Sequence, residues 1–494
     1  MTQSEEAVAD DHYAGGTLLT CPLAWPEQRR NLILFALCTG MQYLAAPVIY
    51  VGITQASLCD RLGADARTSN LPGTLFFAMT AMPALIAWLS PRVDALRRNL
   101  ACCYLVSCTM LGVIAAVLVL DLPPSVKLAV VILQGGVAGA TMPTAIALLW
   151  EIIGRGSDES RRGLALSLAF GAGPVLAVVG SFLQVMLLGG NFFGWQFPGV
   201  AFPYNFAILF GVNCPVMAVA AWLTRGFHVP PVESEPRRDP IRAVAPLLIG
   251  LPALLASVAL DHAATVMECP WMRFAGWASA ATAAVAIVFH FRGILSQRVL
   301  LLSTIATVLV YAGNMIPSNM NLFSAEALGD APEKYAGMQN LLRFGCKVIA
   351  GAALGRLLMR TNPLTGFLAT AIVFLAAPLW AATATGTWYL AAFGVFGAGE
   401  LIGVYAPNYL VSASRTDDLR RNMAFMTMLM VPVAPIGYVY GAIVNLCRSQ
   451  SWTVGGSTGE TLGFRVSFVV CAVLILAGIL LALATLPKRP QRAE

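Results

Sequence analysis

The chain has 494 residues, 58% of them hydrophobic and 11% charged, with mean hydropathy +0.73. A soluble domain carries about 25% charged residues, so the composition excludes an ordinary soluble fold and describes a membrane protein with many spans. The formal charge of +6 is spread over many short loops, which leaves no basic patch for nucleic acid.

Fourteen apolar stretches follow one another in chain order, each bounded by charges, Pro or Gly. The first six are 32–51, 71–89, 100–120, 126–153, 164–188 and 203–223. A pair at 243–260 and 274–291 comes next, then 299–322, 335–358, 364–382, 388–411, 423–446 and 466–486. Each is long enough for a helix, and about 20 residues cross a bilayer. The middle pair is the weakest, because 243–260 is short and carries Pro246 and Pro252; without it twelve spans remain. Residues 1–27 lack the basic start and short apolar core of a cleavable signal, so the first span is expected to act as the targeting signal.

With the N-terminus in the cytoplasm and sides alternating, 22 Lys and Arg fall inside, 7 outside and 2 within a span. That bias sets the expected orientation: a multi-pass protein of the cytoplasmic (inner) membrane, with cytoplasmic tails at 1–30 and 488–494. The polar, Pro-rich linker 225–242 is the clear internal seam. It separates a six-helix bundle at 31–224 from an inserted helix pair at 243–292 and a second six-helix bundle at 293–487. Six helices, a break, a pair and six more point to a duplicated all-α bundle. A local echo supports this: Arg161 and Arg162 precede Pro174 as Arg420 and Arg421 precede Pro432.

The eleven cysteines make no metal-ligand spacing, and most sit inside apolar runs as small hydrophobes. Cys59, Cys269 and Cys447 fall in or near loops on one side, which leaves a disulfide open. No nucleophile–base set and no phosphate-cradling Gly-rich loop with Lys stands out. The expectation is therefore no enzyme, no cofactor, no metal and no direct ATP drive.

Charges inside the spans carry the most information. Arg343 and Lys347 lie one helical turn apart near the middle of 335–358. At 1.5 Å per residue Arg343 is roughly 12 Å deep, where a cation costs several kcal/mol unless it faces a polar cavity or a counter-charge. Four residues apart, the two share a helix face. Glu400 falls near the middle of 388–411, at similar depth. With all three ionised, two cations and one carboxylate leave about one uncompensated positive charge. Either Lys347 is neutral and the group is a structural ion pair, or an anion completes it. In the second case Arg343 grips carboxylate or phosphate oxygens, Lys347 is a second contact or a coupling-proton site, and Glu400 competes with substrate for Arg343. Asp261 and His262 end the seventh run and are expected at a solvated outer edge.

Several loops carry degraded motifs. Ser90-Pro91-Arg92-Val93-Asp94-Ala95-Leu96-Arg97-Arg98 keeps an acid and a double Arg, and Gly355-Arg356-Leu357-Leu358-Met359-Arg360 keeps Gly and Arg with Met359 where an acid is usual. Glu151 precedes Arg161-Arg162-Gly163, and Gly171-Ala172-Gly173-Pro174 bends the fifth run. Together with the six-plus-six topology, these segments resemble the major facilitator superfamily. The resemblance implies a facilitator-type bundle with Asp94, Arg97, Arg98, Glu151, Arg162 and Arg356 as cytoplasmic gating charges; plain positive-inside anchoring is the alternative. It also implies a central cavity lined by the first, fourth, ninth and twelfth runs. The polar residues there are Gln42, Tyr43 and Tyr50; Thr141 and Thr144; Tyr311, Asn314, Ser318, Asn319 and Asn321 around Pro317; and Tyr405, Asn408 and Tyr409. Asn319 and Asn321 are open to a second reading, as helix-to-helix hydrogen bonds or outer-edge residues.

The substrate-binding set expected on these grounds is Arg343, Lys347, Glu400, Asn314, Ser318, Gln42, Tyr43, Tyr311 and Tyr405. The expected function is secondary active transport of a small organic anion by alternating access, coupled to a proton or sodium or run by exchange, in a monomer embedded in lipid. The first run reads Gly40-Met41-Gln42-Tyr43 where fourteen-span drug:proton antiporters carry an Asp, which counts against cationic-drug export. Export of amphiphilic compounds and a non-transporting sensor or assembly factor on the same fold are the alternatives.

Overall fold

The computed structural model describes residues 23–158, 173–192, 195–230, 240–413, 428–450, 452–454 and 457–488. Arg161, Arg162, Gly163, Gly171, Ala172, Arg420 and Arg421 lie outside the described residues, so the repeat echo and part of the gating set do too.

Within the described residues the apolar runs form helices. The first is α1 (Trp25–Leu44), continued by α2 (Ala46–Ile49) and α3 (Ile53–Arg61). The second is a rod of α4 (Ala66–Ser69), α5 (Leu71–Ala78) and α6 (Met82–Leu89), segmented at Pro72 and Pro83 because proline cannot donate to the helical ladder. Next come α7 (Leu96–Val119), α8 (Pro124–Gly156), α9 (Gly173–Leu188), and α10 (Tyr204–Gly211) with α11 (Asn213–Leu223). The inserted pair is α12 (Ile241–Val266) and α13 (Pro270–His290). Both are of spanning length, including α12 with its two internal prolines. The remaining helices are α14 (Arg298–Tyr311), α15 (Pro317–Leu328), α16 (Pro332–Arg360), α17 (Pro363–Thr383), α18 (Ala391–Gly399), α19 (Ile402–Ala413), α20 (Ala434–Gln450) and α21 (Gly459–Thr485). Among the described residues, ten helical segments are long and apolar enough to cross a membrane. The aromatic loop after α9 folds into a two-residue strand pair, Asn191–Phe192 against Trp195–Gln196.

The burial pattern is that of a bundle in lipid. In α7 Tyr104, Leu111 and Ile114 face inward while Leu105 and Val106 are about half exposed; α21 buries Phe468 and Ile475 and exposes Leu480 and Leu483. Such apolar outer faces mark a surface that water does not bathe. α13 turns Phe274, Trp277, Val285 and Phe289 outward and packs chiefly on α12, so the inserted pair sits at the periphery. Because lipid tails are as apolar as Leu, helix association rests on close packing rather than on the hydrophobic effect. Gly139 of α8 is an instance: a Cβ there would stand 2.0 Å from the Phe76 carbonyl oxygen of α5.

The two ends of the bundle differ. At the end where α1 begins (the near end), Asn31 donates to the carbonyls of Gly156 and His228 at 3.0 and 2.8 Å and accepts from the His228 amide, tying α1, α8 and the segment after α11 within one half. At the opposite, far end the halves meet through buried polar side chains. Ser57 donates to Asn321 at 2.8 Å and Asn321 to Gln339 at 2.7 Å; Asn70 donates to Asn319 at 2.7 Å and Asn319 to Ser467 at 3.0 Å. Asn340 donates to Gln184 at 3.0 Å, and Arg61 pairs with Glu333 at 3.1 Å. Asn319 and Asn321 are thus helix-to-helix bonds at the far end, the second of the two sequence readings.

Candidate functional site

The mid-depth charges converge. α18 approaches α16 at Gly397, where a Cβ would stand 1.8 Å from the Arg343 carbonyl oxygen. Only glycine permits that contact. The helix breaks just beyond, between Gly399 and Ile402, and Glu400 occupies the break. The close approach and the break together aim its carboxylate at α16.

Arg343 donates through Nε to Oε2 of Glu400 at 2.9 Å and through Nη2 to Oε1, a bidentate pair. Lys347 Nζ stands 3.5 Å from Oε2 of the same carboxylate. Arg343 is 7% exposed and lies over the rings of Phe344 and Phe396, at 5.2 and 5.4 Å from their centroids. Its Nη1 is buried with no hydrogen-bond partner among the described residues. The counter-charge anticipated from sequence is therefore present, one carboxylate shared by two cations, and one guanidinium nitrogen is left over.

The other half supplies an aromatic wall. Tyr43 and Tyr50, with ring centroids 6.4 Å apart, pack with Ala46 and Ala177 against Phe344, and both lie within electrostatic reach of Glu400. Beside them, between α1 and α8, is a recess of about 30 Å³ bordered by Tyr43, Tyr50, Gln42 and Trp150. That is room for about one water.

The remaining expected residues scatter. Gln42 is 1% exposed and donates to the Tyr104 hydroxyl at 2.7 Å, so it serves packing of α1 on α7 more than the charged centre. Tyr311 and Ser318 are buried on either side of the turn Ala312–Met315 that joins α14 to α15, and Asn314 sits in that turn with Nδ2 unpartnered. Tyr405 is buried on α19, little more than one turn beyond Glu400. Among the gating candidates, Asp94 pairs with Arg92 at 3.6 Å, Arg97 donates to the Phe227 carbonyl at 3.2 Å, and Arg98 and Arg356 are exposed. Glu151 pairs with Arg155 at 2.7 Å on its own helix, while Arg162 is outside the described residues.

Asp261 lies at the far end with its side chain about a quarter exposed, and it is bonded there. It accepts from the Tyr438 hydroxyl at 2.9 Å and stands 3.9 Å from Arg67 and 3.8 Å from Arg273, and the neighbouring His262 is half-buried. Cys59, Cys269 and Cys447 are free thiols, so the disulfide left open does not form. Sequence reading missed the far-end seam of Ser57, Asn70, Gln184, Gln339, Asn340 and Glu333. The available signal was amide side chains embedded in apolar runs.

Comparison with known proteins places this geometry. Searching curated proteins finds no match. Among solved structures, a POT family transporter in complex with 5-aminolevulinic acid superposes with TM-score 0.64 at 12% identity, over 92% of this chain and 96% of that one. A D-xylose-proton symporter gives 0.60 at 12% identity, covering 92% and 98%. The nucleoside transporter NupG gives 0.55 at 11% identity, covering 91% and 98%. These likenesses establish the fold. The sequence profile of the Major Facilitator Superfamily matches residues 29–438, most of the chain, and the protein belongs to that family.

Proposed function

We propose that the chain is a secondary transporter that carries a small organic anion across the membrane by alternating access. The observation that supports this is the charge balance of the buried centre: Arg343 and Lys347 share one carboxylate, and Nη1 of Arg343 has no partner among the described residues. Arginine stays charged in any protein environment, so an added carboxylate or phosphate finds both net attraction and a free donor. Substrate taking one edge of the guanidinium competes with Glu400 for it, and a carboxylate that loses its hold on Arg343 takes up a proton more readily. That competition couples binding to proton movement or to exchange. The transporter solved with 5-aminolevulinic acid, itself a carboxylic acid, has the same fold.

The Lys and Arg bias puts the near end and both termini in the cytoplasm and the seam of buried amides on the outer side of a cytoplasmic membrane. In that orientation the halves are joined outside, as in the inward-facing state of an alternating-access cycle, a state that importers and exporters share.

Uptake of labelled carboxylates and phosphate esters into proteoliposomes tests the reading. Arg343→Ala is expected to abolish uptake, and Glu400→Gln to retain exchange while losing pH-driven accumulation. Uptake indifferent to Arg343→Ala overturns the anion site. Flux of amphiphilic compounds in place of anions would indicate an exporter. Ligand-dependent thermal stabilisation without flux would indicate a sensor.

A further inference from the structure

A second cavity lies away from the charged centre, at the bundle's flank. It measures about 530 Å³ and is enclosed by α5, the first turns of α8, α12 and the start of α20. That volume is within the range of small-molecule sites, about 300–1,000 Å³. Its walls touch both halves and the inserted pair.

The lining is graded by depth. Toward mid-depth it is apolar, made by Ala78, Ile132, Leu133 and Leu254, with Ala434 and Pro435 closing the inner end. Of its polar members, Thr68, Ser125 and His262 are within about two turns of the far end, while Thr74 lies deeper, beside Gly437 of α20. Two of them hold unsatisfied atoms. Thr74 is 2% exposed and its Oγ1 has no hydrogen-bond partner among the described residues; nor has the buried Nδ1 of His262. An unpaired buried polar group costs about 1–3 kcal/mol, which favours a hydrogen-bonding group beside His262 at the outer rim. Leu133, at the inner rim, is 57% exposed, so the cavity opens sideways onto the outer apolar surface.

A polar group near the membrane face with an apolar body pointing toward mid-depth is the disposition of a bilayer lipid. We propose that this cavity is a site for one acyl chain of a glycerolipid from the far-side leaflet, its ester region at the outer rim of Thr68, Ser125 and His262. Seated there, the chain spans α5 and α8 of one half, α20 of the other and α12 of the inserted pair, and holds the far-end closure together. The proposal is independent of what the charged centre carries.

The test uses the full chain in phosphatidylglycerol nanodiscs containing a trace of phosphatidylglycerol with a photoactivatable diazirine on one acyl chain. After irradiation, labelled peptides are mapped by mass spectrometry. Label is expected on Leu128–Leu133 and Leu254–His262 at several times the level found at Leu480 and Leu483, which face bulk lipid on α21. Filling the cavity with Ala259→Trp or, from the opposite wall, Ala129→Trp is expected to remove the excess while leaving the α21 label unchanged. Cavity label no greater than that on α21, or an excess that survives in whichever filled variant elutes as a folded protein, overturns the proposal.

Discussion

A guanidinium clasped by one carboxylate between two phenyl rings is stable only as a unit. Desolvating an ion pair offsets much of its attraction, but leaving one partner buried alone costs about 3–5 kcal/mol. Arg343 has Glu400 as its bidentate partner, and Lys347 borrows an oxygen already engaged. Glu400→Ala is therefore expected to destabilise the detergent-solubilised protein by that margin, read as a lowered midpoint of thermal unfolding. The double variant Arg343→Met with Glu400→Leu is expected to recover most of the loss, because replacing both members of a buried pair by apolar groups is near neutral or stabilising. Lys347→Met is expected to have a small effect on stability. A double variant no better than Glu400→Ala would mean that the pair is not the unit of stability at this depth.

Among the helices, the inserted pair does more than fill space. α12 presents Asp261 to Tyr438 of the C-terminal half and to Arg67 of the N-terminal half, and Arg67 also donates to Thr265 at 2.6 Å and lies over the Tyr438 ring. One carboxylate on a peripheral helix thus ties both halves at the far end. Asp261→Ala is expected to speed amide hydrogen exchange in α3 and α15, the helices joined by the Ser57–Asn321 bond, while the first turns of α7, at the near end, keep their protection. Unchanged exchange would make the pair a passive appendage. The helices themselves were legible in the sequence because span length and charge placement are crude, robust signals. The centre was legible for the same reason: Arg343, Lys347 and Glu400 are conspicuous in apolar runs. The far-end seam was not, because Asn, Gln and Ser can equally bond within one helix, across helices or to water, and only the fold decides which. The partners of Asp261 were not legible either, because a carboxylate at the end of an apolar run gives no sign of which helices will face it.

At the scale of the whole molecule the question is what sets the balance between closed and open far ends. Glu333, in the first turn of α16 ahead of its apolar run, belongs to the seam: it is 7% exposed and pairs with Arg61. Asp60, Lys334 and Asp330 complete its charged surroundings. Burial, more than Arg61 offsets, pushes its carboxyl up to about 7. Once the halves part and water reaches it, the group returns toward an ordinary value of about 4.3. The closed form therefore binds the proton more tightly, so protonation stabilises closure, and that stabilisation is lost as pH rises through about 7. The sign opposes intuition from the ion pair alone, which would have acid weaken the seam. In a chain whose native cysteines are replaced, spin labels at Leu120 and Trp452, exposed far-end positions on opposite halves, report the opening. Going from about pH 5.5 to about pH 8 is expected to raise the population at longer inter-label distance. Glu333→Gln, which stays neutral, is expected to hold the short-distance population across that range. A long-distance population that grows on acidification would show that the Arg61 pair, and not burial of the carboxyl, governs the closure.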